Sequence, residues 1–149
     1  MVKETFFQKH KQELFFWLIV VGAVFLDQIL KLIIVFTKPN LNWGLLNITF
    51  TQNTGAGFGI LQGQTIWLAL ISLTVATIII LNYDKIPKTK FVQLLFAFFL
   101  GGIVGNFIDR AFRGYVVDFI NFQFWPAFNL ADAFISMAVI GLIFYFWKK

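Results

Sequence analysis

The chain has 149 residues, of which 59% are hydrophobic, 19% aromatic and only 13% charged, with a net charge of +5. Soluble domains carry about 25% charged residues, and a chain this short cannot bury so much apolar surface in one core. The composition therefore excludes a soluble domain, a disordered segment and a charge-rich nucleic-acid binder, and points to an integral membrane protein. The chain contains no Cys, which excludes disulfides, zinc–cysteine sites and thiol chemistry.

The N-terminus carries Lys3, Lys9 and Lys11 around the lone His10, which reads as a solvated residue of a basic tail. A first apolar window, residues 14–36, is long enough to cross a hydrocarbon core, which needs about 20 helical residues. Its basic start suggests a signal peptide. However, no small-x-small cleavage site follows and the apolar run continues past Asp27 to Phe36, so it reads as a retained span. Within it, Asp27 and Lys31 are spaced to pair on one helix face. The loop that follows, residues 41–50, is rich in β-branched and aromatic residues in partial alternation and predicts short strands.

Gly55-Ala56-Gly57-Phe58-Gly59 lacks the spacing and the βαβ context of a dinucleotide fingerprint. It reads as a tight turn or a close backbone approach before the second span, residues 65–82. A short turn with Asp84 and Pro87 leads to the third span, residues 91–108. There Gly101, Gly102 and Gly105 form a small-residue face for helix packing, and Asn106 and Arg110 share a face further along. Residues 115–122 predict a further strand, punctuated by Gly114 and Pro126, and the fourth span covers residues 130–147. Trp43 and Trp125 suit the headgroup level. The expected fold is an all-α membrane protein: four transmembrane helices with a small β-sheet and loops on the outer membrane surface, forming a single membrane-embedded domain over residues 1–149.

Lys3, Lys9, Lys11, Lys85, Lys88, Lys90, Lys148 and Lys149 fall on one side of this arrangement, against Lys38, Arg110 and Arg113 on the other. The positive-inside rule then puts both termini in the cytoplasm. Of the seven acids, Glu4, Glu13 and Asp84 lie in cytoplasmic flanks. Asp27, Asp109, Asp118 and Asp132 lie in or beside apolar segments, where an ionised side chain costs at least about 2.5–3.5 kcal/mol. At about 1.5 Å rise per residue, Asp27 sits roughly 20 Å above the inner end of its span, and all four acids converge on the outer third of the membrane.

Three of them have plain structural readings: Asp27 as the ion-pair partner of Lys31, Asp109 with Arg110 as a helix-end anchor, and Asp132, or Asn129 before it, as a helix cap. Asp118, between Val117 and Phe119, needs a partner or a task. Asp118 and Asp132 can face each other, one on a strand and one on the next helix top. Two carboxylates about 3 Å apart share a proton. The ionised one then activates water, and the protonated one bonds the carbonyl oxygen and later donates to the leaving amine. Ser72 and Ser136 lack a His partner, which disfavours a serine triad. Without Cys or an intramembrane His, a metal site is not expected. The residues alone leave three readings open: aspartic hydrolysis, a small transporter, which would also use intramembrane acids, and a non-catalytic lipid-binding factor.

Five ordered segments then carry a family resemblance: Asp27-Gln28-Ile29-Leu30-Lys31, Asn53-Thr54-Gly55-Ala56-Gly57-Phe58-Gly59, Gly105-Asn106-Phe107-Ile108-Asp109-Arg110, Val116-Val117-Asp118-Phe119-Ile120 and Phe128-Asn129-Leu130-Ala131-Asp132. The chain resembles the lipoprotein signal peptidases, or signal peptidase II, from the first span to the fourth. It departs from them at Gly57 and in a short second outer loop, neither of which touches the acids. The resemblance implies a multi-pass aspartic endopeptidase of the bacterial cytoplasmic (inner) membrane, with its active site near the outer face. Such an enzyme cleaves the signal peptide from diacylglyceryl-modified prolipoproteins immediately before the lipid-bearing Cys. It assigns the catalytic dyad to Asp118 and Asp132, and a substrate-binding or supporting role to Asp27, Lys31, Asn53, Gly55, Asn106, Asp109, Arg110 and Asn129. It also implies a monomer with no metal or other cofactor and no nucleic acid, whose partners are the lipid-modified prolipoprotein and membrane lipids, and inhibition by globomycin.

Overall fold

The computed structural model describes residues 6–148, without the side chains of residues 6–9 and 58. Lys3, Glu4, Lys149 and the Lys9 side chain, which entered the charge reading, lie outside the described residues. Four α-helices and three strands follow in the order α1 (Phe6–Thr37), β1 (Asn40–Trp43), β2 (Leu46–Asn53), α2 (Thr65–Leu81), α3 (Lys90–Arg113), β3 (Val116–Phe122) and α4 (Leu130–Trp147). Among the described residues, three helical stretches are long and apolar enough to cross a membrane: His10–Thr37 within α1, then α3 and α4. The apolar α2, with 17 residues, is shorter.

Two boundaries differ from expectation. The segment around His10 and Lys11 is not a tail but the first turns of α1. The third helix continues through Asp109 and Arg110 to Arg113, because partners within the fold hold its polar last turns. Arg113, expected in a loop, closes that helix, and Gly114 stops it at φ +76°.

Helix α3 is the hub, with α1, α2 and α4 all packed on it. Its glycines permit the close approach. A Cβ at Gly101 would lie 2.8 Å from that of Ala23 on α1, and one at Gly102 would lie 2.5 Å from the Ala131 carbonyl oxygen on α4. Among the helices, α2 packs on α3 alone. It therefore stands apart from α1, and a largely apolar groove of about 520 Å³ lined by Trp17, Val20, Phe25, Gln28, Ile80 and Leu100 lies between them. The outward faces of the helices carry exposed large apolar residues such as Leu18, Phe25, Ile66, Trp67, Ile140 and Phe144, a surface suited to hydrocarbon.

The strands form one antiparallel sheet in the order β1-β2-β3. The β1–β2 hairpin turns at Gly44, whose φ of +79° side chains rarely adopt, and the Gly44 N–H donates to Asn42 Oδ1 at 2.9 Å. Between β2 and β3 the register shifts: Ile48 lies opposite Ile120, but Thr51 lies opposite Asp118. Thr49 and Phe50 together thus face the single Phe119, a bulge that re-aims the rest of β2. Beyond it, Thr51 and Asn53 share the face of Asp118. Val117 and Phe119 point the other way, into a core with Ile34 of α1.

Candidate active site

Asp118 is 1% exposed on β3. Its Oδ2 accepts from Asn53 Nδ2 at 2.9 Å and its Oδ1 from Asn129 Nδ2 at 2.7 Å. Asn129 caps α4. Its Oδ1 accepts from the Asp132 backbone N–H at 3.0 Å, and its own backbone N–H donates to Asp132 Oδ2 at 3.2 Å. Asp132 Oδ1 accepts from Asn106 Nδ2 at 2.7 Å. The chain reaches this cap from β3: Phe128 and Ile120 exchange backbone hydrogen bonds of 2.9 Å, which pins the residue before Asn129 to the sheet. Among the described residues, Asn129 hydrogen-bonds both carboxylates, Asp118 through its side-chain amide and Asp132 through its backbone N–H.

Burial pushes the Asp118 carboxyl up to about 7, with the neighbouring negative charge of Asp132 adding to the effect. Hydrogen bonds from Asn53 and Asn129 and the charge of Lys31 oppose the rise. The half-buried Asp132 borders a cavity of about 270 Å³ with Asn53, Arg110, Trp125, Phe128 and Ser136. Asp118 borders a smaller one of about 160 Å³, and the two cavities share Asn53, Ala56, Gly57, Pro126 and Ala127 as walls.

Behind the aspartates lies a buried polar cluster. Asp27, Lys31 and Asp109 are each fully buried. Lys31 Nζ lies 2.8 Å from Asp27 Oδ2, 3.1 Å from Asp109 Oδ2 and 2.9 Å from Asn106 Oδ1. Lysine only donates, so the Asn106 carbonyl must face it, which turns the Asn106 NH2 toward Asp132. Asp27 Oδ1 accepts from the Ala131 N–H at 3.0 Å and ties α1 to the start of α4. Asp109 Oδ2 accepts from the Val117 N–H at 2.9 Å and ties α3 to the strand that carries Asp118. A Cβ at Gly105 would come within 2.6 Å of Asp27 Oδ2, so the helix leaves room there for the acid.

All the residues singled out from the sequence thus fall in one connected region, with some pairings different from those expected. Asp109 bonds Lys31 and Arg113, the latter in the last turn of the same helix. Asn106 turns to Lys31, Asn129 and Asp132, whereas Arg110 Nη2 reaches the Gly55 carbonyl oxygen at 3.2 Å. Gly55 has no room for a side chain, since a Cβ would lie 2.6 Å from the Ile60 carbonyl oxygen, and its N–H donates to Asn53 Oδ1 at 2.9 Å.

Sequence reasoning gave no site role to Gln28, quoted only within the first motif, or to Arg113. Gln28 Nε2 lies 3.0 Å from the Gly105 carbonyl oxygen and 3.2 Å from Asp109 Oδ1, and its Oε1 accepts from Arg113 at 3.0 Å. The spacing that flagged Asp27 with Lys31 also holds for Asp109 and Arg113, but the helix was expected to end before the second residue. Among the described residues no three His, Asp or Glu side chains group as a metal site.

Residues 19–148 match the family profile described as Signal peptidase (SPase) II. The chain is 34% identical over 139 residues to a lipoprotein signal peptidase of Halothermothrix orenii, covering 89% of this chain and 95% of that protein. It is 39% identical over 130 residues to the lipoprotein signal peptidase of Caldanaerobacter subterraneus subsp. tengcongensis, covering 83% and 90%. A bacterial membrane enzyme solved by the in meso method at 2.3 Å resolution shares the fold with a TM-score of 0.83 and 33% identity, over 89% of this chain and 87% of that one. A second such structure, at 1.9 Å resolution, gives 0.80 at 33% identity, over 90% and 93%.

Proposed function

The chain belongs to the signal peptidase II family of membrane peptidases that process lipoprotein signal peptides, and from that premise we propose that it is an aspartic endopeptidase working through Asp118 and Asp132. The observation that carries this reading is the pair of carboxylates held on one asparagine beside adjoining cavities, with burial raising the Asp118 carboxyl to about 7.

In this mechanism the buried Asp118 holds the proton and Asp132, on the wall of the larger cavity, is the base. Asp132 takes a proton from water, and the hydroxide adds to the scissile carbonyl carbon. Asp118 hydrogen-bonds the carbonyl oxygen as negative charge grows there, and a proton then passes to the leaving amine as the C–N bond breaks. Asn53, Asn106 and Asn129 orient the carboxylates. Arg110 and Gly55 fix the loop that forms the cavity wall. Asp27, Lys31 and Asp109 brace α1, α3, α4 and β3 around the site.

The substrate is a diacylglyceryl-modified prolipoprotein, cut immediately before its lipid-bearing Cys. We place the site at the outer face of the bacterial inner membrane, with α2 as a fourth span and both ends of the chain in the cytoplasm. Supporting this orientation, Lys11, Lys85, Lys88, Lys90 and Lys148 gather at the helix ends away from the aspartates. Exposed Leu41, Trp43, Leu45, Phe124 and Trp125 give the sheet side an apolar surface against which acyl chains can lie. The purified protein should convert a diacylglyceryl-modified prolipoprotein to a product whose mass places the cut before the modified Cys, and should leave the unmodified form intact. Equal cleavage of both forms would refute the substrate assignment.

A further inference from the structure

At the end of the bundle opposite the aspartates, α1 and the start of α3 enclose a separate cavity of about 250 Å³. Among the described residues, Lys11, Lys88, Lys90, Gln12, Phe15 and Gln93 line it, none of them acidic. Lys88 is fixed at this wall: its Nζ donates to the Tyr83 carbonyl oxygen at 3.0 Å and lies 3.7 Å from that ring's centroid. The start of α3, capped by Thr89, adds the positive end of a 24-residue helix.

A second, independent feature is Gln93, which is 1% exposed. Its Nε2 donates to the Pro87 carbonyl oxygen at 3.1 Å, which fixes the amide orientation, and among the described residues its Oε1 has no hydrogen-bond partner. A basic cavity with a buried orphan acceptor suits an anion that also carries a hydroxyl. The location narrows the choice further. Immediately past Lys11, α1 exposes Leu14, Phe15 and Leu18, so the cavity sits where hydrocarbon gives way to charge.

We propose that this cavity binds the headgroup of an anionic glycerophospholipid. The phosphodiester lies among Lys11, Lys88 and Lys90, a headgroup hydroxyl donates to Gln93 Oε1, and the acyl chains run along Leu14, Phe15 and Leu18. Basic pockets between membrane helices recognise such headgroups. The assignment rests on α1 and α3 crossing the membrane and not on the peptidase reading, so a binding measurement tests it without any assay of cleavage.

Native mass spectrometry of the purified protein in detergent provides the test, with phosphatidylglycerol, phosphatidylmethanol (anionic, without a hydroxyl), phosphatidylcholine and inorganic phosphate as probes. Phosphatidylglycerol should bind most tightly, phosphatidylmethanol several-fold more weakly, and phosphatidylcholine and inorganic phosphate not measurably. The double variant Lys11→Gln/Lys90→Gln leaves Lys88 on Tyr83 and should weaken phosphatidylglycerol about thirtyfold. Lys11→Arg/Lys90→Arg should retain it, which separates lost charge from lost fold. Gln93→Leu should abolish the preference for phosphatidylglycerol over phosphatidylmethanol. Equal retention of phosphatidylcholine, competition by inorganic phosphate, or unchanged affinity in Lys11→Gln/Lys90→Gln would overturn the proposal.

Discussion

Asn129 touches both proposed catalytic aspartates, one through its side-chain amide and the other through its backbone N–H, while its side-chain oxygen caps α4. Replacing it with alanine should cost about 1–2 kcal/mol of stability, the usual loss for a cap, and should reduce cleavage far more than that loss explains. Measuring unfolding and turnover on the same variant separates the two effects. Asp118 carries a second residue-scale prediction. Its carboxyl titrates near 7 in the folded protein, against about 3.9 in an unfolded chain. The folded state therefore holds the proton more tightly, and the stability this gives is fully present below about pH 4 and disappears as pH rises through 7. Between pH 5 and pH 8 the melting temperature in detergent should fall more for the wild type than for Asp118→Asn. An identical fall in both would argue against a protonated, buried Asp118. Cleavage should fall along the same alkaline limb. At this scale much was legible from the sequence: Asp27 and Lys31 from their spacing, and Asp118 from its apolar neighbours. The choice of Asn129 as the bridge was not, because it depends on Phe128 pairing with β3 across a loop.

The elements hold these residues through close contacts that glycine alone permits. Gly102→Val would drive a side chain into the Ala131 backbone and the Ile135 side chain, at the point where α4 begins. It should cost about 1–3 kcal/mol and lower cleavage together with the melting temperature. Gly22→Ala, in a helix position with nothing within 4 Å of the added carbon, should be neutral or slightly stabilising. Thermal unfolding in a single detergent distinguishes the two cases. The glycine face of α3 was readable from sequence, as were the positions of the strands. The length of α3 was not, since hydropathy fades at Asp109 while partners from α1 keep the helix going. The bulge at Thr49 and Phe50 left no mark in the sequence either, because both residues suit a regular strand. Yet that bulge sets Thr51 and Asn53 on the same face as Asp118.

Across the whole molecule, the distribution of charge predicts the orientation, and the absence of Cys makes it easy to test. In intact cells, a membrane-impermeant maleimide should label Trp125→Cys at once and Lys85→Cys only after permeabilisation. The reverse pattern would invert the proposed topology. Sequence reasoning reached the number of apolar segments and the gathering of acids at one end, because both follow from hydropathy and helical rise. It did not reach α3 as the hub, nor α2 packed on it alone, because α2 is apolar all round and its pattern favours no face. The central claim, that two aspartates hydrolyse the peptide bond, is tested most directly by the turnover of purified Asp118→Asn and Asp132→Asn on a diacylglyceryl-modified prolipoprotein, with circular dichroism to verify the fold. Each variant should keep its helices and lose at least about a thousandfold in rate, within the range that general acid–base groups supply. Cleavage within tenfold of wild type by either folded variant would contradict the mechanism.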